Sequence, residues 1–199
     1  CLFYSYDESK IDGMLASLQD KDKEDRLELN IEDDMAGFLG ILMKKHRDGS
    51  IELLQTGLID RIIRVMGLSE ATEKPTPAET TPLGMDKQGE PCEEHWSFSS
   101  VVGMMMYLAA NSRPDIAYAV HAAARFTHNP KRSHEQALKR IAKYLKGTRE
   151  RGMIISPSKD LALDCHVDAD FVGLFKVEDP QDPVCAKSRT GYVITLGNT

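Results

Sequence analysis

Residues 113–151, RPDIAYAVHAAARFTHNPKRSHEQALKRIAKYLKGTRER, carry the strongest structural signal in this chain. Ser133 is a good helix N-cap, and Gln136, three residues later, can complete a capping box. Apolar side chains then recur at helical spacing at Leu138, Ile141 and Leu145. Gly147 can supply a left-handed stop. The pattern predicts an amphipathic helix that begins near Ser133 and ends at Gly147.

The same stretch is strongly basic, with ten Lys and Arg residues against three acids in a chain whose net charge is −6. No acid follows Glu135 until Glu150, so pairing at i, i+4 is not expected to neutralise the outer face of the helix. A face of mutually repelling cations indicates a polyanionic partner, although such a face can also simply be solvated. The candidate nucleic-acid-binding residues are Arg125, Lys131, Arg132, Lys139, Arg140, Lys143, Lys146 and Arg149.

Two shorter helices are predicted before the basic one. Residues 97–110 are apolar and small, and their methionines suit an irregular core better than a ligand site. Pro114 then fits the first turn of the next helix, and Asp115 suits its positive end. The alanines between 119 and 124 allow close packing, so we expect a bundle of three short helices.

The first 68 residues read as a small α+β unit. Strands are expected over 1–6, 27–31, 38–43 and 51–55. The last two form a β-hairpin that turns at Asp48–Gly49. Asp7 can cap a helix with an apolar stripe at 11–18, and Thr56 or Asp60 can begin another.

Residues 69–96 form a linker rich in Pro, Thr and Glu, which we expect to run over the surface with Trp96 anchoring its end. After Gly152 the periodicity changes to that of strands, over 153–155, 161–167 and 188–197. Two or three antiparallel strands do not make a stable domain without further elements.

Residues 107–153 resemble the segment of copia-type LTR-retrotransposon Pol polyproteins that joins reverse transcriptase to RNase H. The resemblance rests on RPDIAYAV, on RFTHNPKRSH and on KRIAKYLKGT. It implies an α+β fold in four parts. These are the end of a palm with a hairpin (1–68), a linker (69–96), a thumb-like helical bundle (97–152) and the first antiparallel strands of an RNase H-like domain (153–199).

The resemblance also gives the hairpin a role. FLGI, followed by a hairpin and LLQTGLIDRIIRVMGL, is similar to the stretch that closes the family's palm, where the hairpin is the primer grip. Phe38, Leu39 and Gly40 are the implied primer-grip residues, and an ordinary buried hairpin is the alternative. The family's Tyr-x-Asp-Asp turn has no counterpart here, and Asp7–Glu8 reads as a helix cap.

DCHVDADF resembles the opening of the family's RNase H domain, whose first metal ligand corresponds to Asp168. That chemistry uses several carboxylates around two Mg²⁺ ions. Mg²⁺ is therefore implied for the intact parent protein, and we expect none bound by this chain alone.

The four cysteines are scattered, and neither Cys92 with His95 nor Cys165 with His166 has a second pair to complete a zinc site. Without a signal peptide or an apolar run long enough to span a membrane, we expect an intracellular protein. A start without Met suggests a fragment.

Two functions fit these features. The first is part of a reverse transcriptase/RNase H that grips the template–primer, with RNA, DNA, their hybrid and the rest of the polyprotein as partners. The second is a nucleic-acid-binding remnant of a degraded element. A scaffold that binds an acidic protein has only the charge in its favour.

Overall fold

The computed structural model describes residues 7–19, 37–93, 95–156, 162–170 and 189–197. The chain divides into two units, Cys1–Met35 and Ala36–Thr199. The predicted strands over 1–6 and 27–31 lie outside the described residues. The architecture is mixed helix and sheet, as predicted, with two small antiparallel sheets.

In the first unit the helix α1, Glu8–Leu18, begins where the sequence predicts. The Asp7 carboxylate accepts a hydrogen bond from the backbone N–H of Ser9 at 3.1 Å. This bond confirms that Asp7 is a helix cap.

The second unit contains a four-stranded antiparallel sheet in the order β1-β2-β3-β4. Its strands are β1, Gly37–Phe38, β2, Ile41–Lys45, β3, Ile51–Leu54, and β4, Met153–Ile155. The predicted turn at 48–49 is confirmed, since the Asp48 carboxylate accepts from the backbone N–H of Ser50 at 2.9 Å.

The strand β4 does not lie where the predicted division at residue 153 puts it. It pairs with β3. A Cβ at Gly152 would lie only 2.4 Å from the carbonyl oxygen of Leu53, so glycine permits this close approach. The strand that follows the basic helix therefore completes the first sheet and belongs with the residues before the linker.

Four helices form the bundle next to this sheet. They are α2, Thr56–Val65, α3, Phe98–Asn111, α4, Ala117–Ala124, and α5, Arg132–Gly147. Pro114 opens a 3₁₀ turn, Pro114–Ile116, that leads into α4. One apolar cluster joins all four helices, with Ile62, Val101, Leu108, Val120, Leu138 and Leu145 at 0% exposure.

The predicted span of α5 is right to within two residues, but both predicted caps are wrong, since Ser133 is not the N-cap and Gly147 is not left-handed. Lys131, not Ser133, occupies the N-cap position, and Thr148 is the C-cap with φ −123°. Gly147 is the last helical residue, and a Cβ there would lie 2.9 Å from Glu73 Oε2. The absence of a Cβ at Gly147 therefore leaves room for the Glu73 side chain.

Residues 69–93, which we call the strap, run antiparallel along α5. Near the C-terminal end of α5, Lys146 Nζ donates to the Ser69 and Ala71 carbonyls. Near the N-terminal end, the Cys92 N–H donates to the Pro130 carbonyl at 3.1 Å. Beyond the strap, Trp96 stacks on Phe98 with ring centroids 6.4 Å apart, as the predicted anchor requires.

The second sheet has two strands, β5, Leu163–Asp170, and β6, Arg189–Leu196. Both predicted strands are thus confirmed. One face of this pair is apolar and exposed, with Val167 at 76% and Tyr192 at 69% exposure.

Candidate nucleic-acid interface

The cations of α5 lie on one face of the helix. At 3.6 residues per turn, those at 132, 139, 140, 143 and 146 fall within about a third of its circumference. The opposite side is apolar and buried at Leu138, Ile141 and Leu145. The sequence therefore predicts the segregation of charge correctly.

The structure contradicts the expectation that this charged face is not neutralised. Lys139 pairs with Glu135 at 2.7 Å, an i, i+4 ion pair. Arg140 pairs with Glu79, and Arg132 pairs with Glu90 at 3.0 Å. The expectation was wrong because most of the compensating acids lie on the strap, far away in sequence.

Three of the predicted contact residues serve the fold. Glu135, the partner of Lys139, is only 5% exposed. Lys146 is held by two backbone carbonyls of the strap. Arg149 donates two hydrogen bonds to Asp60 of α2, at 2.7 and 2.6 Å, and these bonds lower the pKa of the Asp60 carboxyl.

The remaining candidates differ in their surroundings. Lys131 and Lys143 are half-buried, and neither side chain has an ion pair with another described residue. The Arg125 guanidinium lies 5.0 Å from the centroid of the Phe126 ring. Arg132 and Arg140 keep exposed partners, since Glu90 and Glu79 are 72% and 68% exposed.

The N-terminus of α5 is capped by a residue that the sequence did not single out for this role. His134 is fully buried, and its Nδ1 accepts a hydrogen bond from the Lys131 backbone N–H at 2.9 Å. Nε2 lies 2.8 Å from the Gly84 carbonyl oxygen, which accepts a hydrogen bond from the Nε2–H, because Nδ1 is already an acceptor. The ring stacks on Phe126 at 3.9 Å. His134 therefore joins α5, the strap and the end of α4.

Arg113, a motif residue without a predicted role, is the centre of a buried polar cluster and is itself 1% exposed. It donates two hydrogen bonds to Asp115, at 3.0 and 2.8 Å, and two to Thr148. Tyr144 donates to the same Asp115 carboxylate at 2.7 Å. The arginine and aspartate of RPDI thus contact the tyrosine and threonine of YLKGT, so the two motifs form one polar cluster in the folded chain.

Burial raises the pKa of the Asp115 carboxyl, but the hydrogen bonds from Arg113 and Tyr144 outweigh burial and leave this pKa below its ordinary value. A carboxyl whose pKa is lowered by folding stabilises the protein above its unfolded-state pKa of about 3.9 and loses that contribution as the pH falls through the folded-state pKa.

We therefore expect Asp115→Asn to destabilise the chain by a constant amount between pH 5 and 8, because the carboxylate is fully ionised there in both states. Below about pH 4 the difference should shrink. Urea unfolding of both proteins between pH 2.5 and 8 measures it. A difference that stays constant down to pH 2.5 would show that the charge of Asp115 is unimportant.

The implied primer-grip residues lie at the tip of a tight hairpin. Phe38 is in β1, and Leu39 and Gly40 form the turn to β2 with φ of 52° and 76°. Leu39 is 70% exposed in a left-handed conformation that costs a non-glycine residue about 1 kcal/mol or more. Its carbonyl accepts from the Tyr107 hydroxyl at 2.9 Å, which fixes the turn to α3. This turn interrupts the strand that was predicted over 38–43, and the primer-grip role of Phe38, Leu39 and Gly40 stays a prediction.

Asp168 lies on β5 opposite Gly191 and is exposed. Asp164 points to the same side of the strand, about 13 Å away along it. The described residues contain no cluster of three side chains able to hold a metal. The described carboxylates near Asp168 therefore do not fit a two-Mg²⁺ centre. The metal-ligand role of Asp168 stays a prediction.

Comparison with known proteins finds similarity to transposon polyproteins. The chain is 34% identical over 161 residues to the retrovirus-related Pol polyprotein from transposon RE1 of Arabidopsis thaliana, covering 81% of this chain and 10% of that protein. For the one from transposon RE2 of the same plant, identity is 32% over 175 residues, with 87% and 11% covered. For the one from transposon TNT 1-94 of Nicotiana tabacum, identity is 30% over 168 residues, with 80% and 12% covered.

The chain thus spans about a tenth of the length of these relatives. No family model matches it, and no solved structure matches it. Within the described ranges, no helix has the length and apolar character required to cross a bilayer.

Proposed function

This chain belongs to the copia-type, retrovirus-related Pol polyproteins of retrotransposons, and from that premise we propose that it is a non-catalytic part of a reverse transcriptase that grips the template–primer duplex. The observation that carries the proposal is the single basic face of α5, with its cations on one side and the bundle core on the other. Phosphate contacts position a nucleic acid without reading its sequence, and a row of Lys and Arg side chains suits that task.

Two kinds of contact follow from the geometry. Lys143 on the basic face of α5 and Lys131 at its N-cap supply charge for the sugar–phosphate backbone. Leu39, on the turn that Tyr107 fixes to α3, supplies an exposed apolar contact suited to a primer end. We infer that the bundle is the thumb and the β1–β3 hairpins are the end of the palm.

In the test, the whole chain is titrated into a labelled RNA–DNA hybrid with a recessed 3′ end, at several salt concentrations. We expect weak, salt-dependent binding. Lys143→Gln should reduce the slope of log affinity against log salt by about 0.9, because one phosphate contact is lost. Lys10→Gln is the matched control, since that exposed lysine is on α1, and it should leave the slope unchanged.

Leu39→Gly in the same titration separates the two kinds of contact. It removes no charge, so the affinity should fall about threefold while the slope stays constant. Equal slopes for the wild type, Lys143→Gln and Lys10→Gln would contradict a grip by α5. The remnant hypothesis predicts the same binding by this chain, and an intact Tyr-x-Asp-Asp turn in the parent reading frame distinguishes the two.

A further inference from the structure

The strap follows α5 from end to end. Its residues 69–71 contact the side chain of Lys146, and the Lys74 N–H donates to the Lys143 carbonyl at 3.4 Å. Farther along, Thr76 and Glu79 accept from Arg140, and Asp86 accepts from Ser133. At the N-terminus of α5, the Arg132 N–H donates to the Glu90 carbonyl at 2.9 Å. The strap therefore lies along the helix that carries the candidate phosphate contacts.

The strap's backbone is fixed in place by apolar side chains. Ala71, Ala78, Leu83 and Cys92 pack against the core of the bundle. The Pro91–Lys131 β-bridge and the bond between His134 and the Gly84 carbonyl add polar anchors. Removing the whole strap would expose this apolar surface to water, so the strap is not a lid that opens.

Two acidic side chains of the strap are free to move. Glu79 and Glu90 are 68% and 72% exposed, yet each pairs with an arginine of the α5 face. A change of rotamer of Glu90 releases Arg132, which is 66% exposed, since an exposed ion pair is weak and long side chains reorient readily. A change of rotamer of Glu79 breaks its ion pair with Arg140, which is 18% exposed and keeps its hydrogen bond to Thr76. The α5 face therefore contains cations that are occupied but easily released.

We propose that Glu79 and Glu90 act as a built-in competitor for phosphate, masking Arg140 and Arg132 until a nucleic acid displaces the two carboxylates. The inference rests on the proposed function and concerns the regulation of the same face. The two glutamates weaken the binding of isolated phosphates, because breaking both ion pairs costs free energy. Only a ligand that contacts several α5 cations together gains enough free energy to offset that cost.

The test uses the whole chain and the same RNA–DNA hybrid. Glu79→Gln/Glu90→Gln should tighten binding about three- to tenfold at low salt, which corresponds to the loss of two ion pairs whose carboxylates are exposed. The salt slope should steepen by up to about 1.8, since two more cations reach phosphates. The control Glu70→Gln/Glu73→Gln removes the same charge from exposed positions of the same strap, where neither carboxylate has an ion pair with a described residue. This control should leave both the affinity and the salt slope nearly unchanged.

A second comparison identifies the cations. Adding Arg132→Gln/Arg140→Gln to the Glu79→Gln/Glu90→Gln variant should abolish the gain, as coupled residues require. Equal gains in the strap variant and its control, or a gain that survives loss of the two arginines, would overturn the mask and leave the proposed function standing. Absence of binding by the wild type and every variant would overturn the proposed function, and the mask with it. Equal urea unfolding midpoints for Glu79→Gln/Glu90→Gln and for its control Glu70→Gln/Glu73→Gln establish that folding is unaffected.

Discussion

Arg113→Ala should destabilise this chain by about 3–5 kcal/mol, the largest effect that we expect from a polar residue. The guanidinium is 1% exposed and satisfies Asp115 and the Thr148 carbonyl together. Truncation removes four hydrogen bonds in a partly buried site, so that Asp115 keeps the Tyr144 hydroxyl and the Thr148 carbonyl keeps the Arg151 N–H as donors. It also removes the guanidinium that lies 5.6 Å from the centroid of the Tyr144 ring. The free energy of unfolding in urea at pH 7 measures the loss.

Arg151→Ala is the matched control for the same cluster. Arg151 lies 3.9 Å from Asp115 and is 59% exposed, so its removal should cost no more than about 0.5 kcal/mol. The loss of stability for Arg113→Lys should lie between the losses for Arg113→Ala and Arg151→Ala, because an ammonium cannot reproduce the bidentate geometry. A cost below about 1 kcal/mol for Arg113→Ala would refute the structural role of the RPDI motif.

His134→Ala should cost about 3 kcal/mol, because it removes the cap on the Lys131 N–H, the bond to the Gly84 carbonyl and a buried ring stacked on Phe126. Ser133→Ala should cost less than about 1 kcal/mol, since within the described part of the chain its hydroxyl bonds only to the exposed Asp86 side chain.

The comparison between these two variants decides which residue caps α5. If Ser133 were the cap, as the capping box predicted from the sequence requires, Ser133→Ala would destabilise the chain more than His134→Ala. Urea unfolding monitored by the helical circular dichroism signal distinguishes the orders. Equal losses would show that the contact between His134 and the strap contributes little.

Local sequence was sufficient for most of the helices and strands. The apolar spacing in α5, the proline before α4 and the Asp48–Gly49 turn each depend on neighbours within about four residues, and each prediction was confirmed. The α5 ends were predicted less well. A good Ser cap was available in the sequence, but a histidine buried by the strap replaced it, and no local pattern reports that burial.

The candidate site shows the same limit. Sequence placed the cations of α5 on one face, because helical periodicity alone determines this. It could not tell which of them are free, because Glu79, Glu90 and Asp60 reach Arg140, Arg132 and Arg149 from 42 to 89 residues away.

By itself, then, the sequence determined the α+β class, the amphipathic basic helix and the membership of the Pol family, since each is written in short-range periodicity or in contiguous motifs. Only the tertiary structure decided that β4 returns to β3, that Arg113 is a buried anchor and that acids of the strap pair with cations of the basic face. Those outcomes depend on contacts between distant segments. Their energies come from burial and from charge pairs that exist only after the chain has folded.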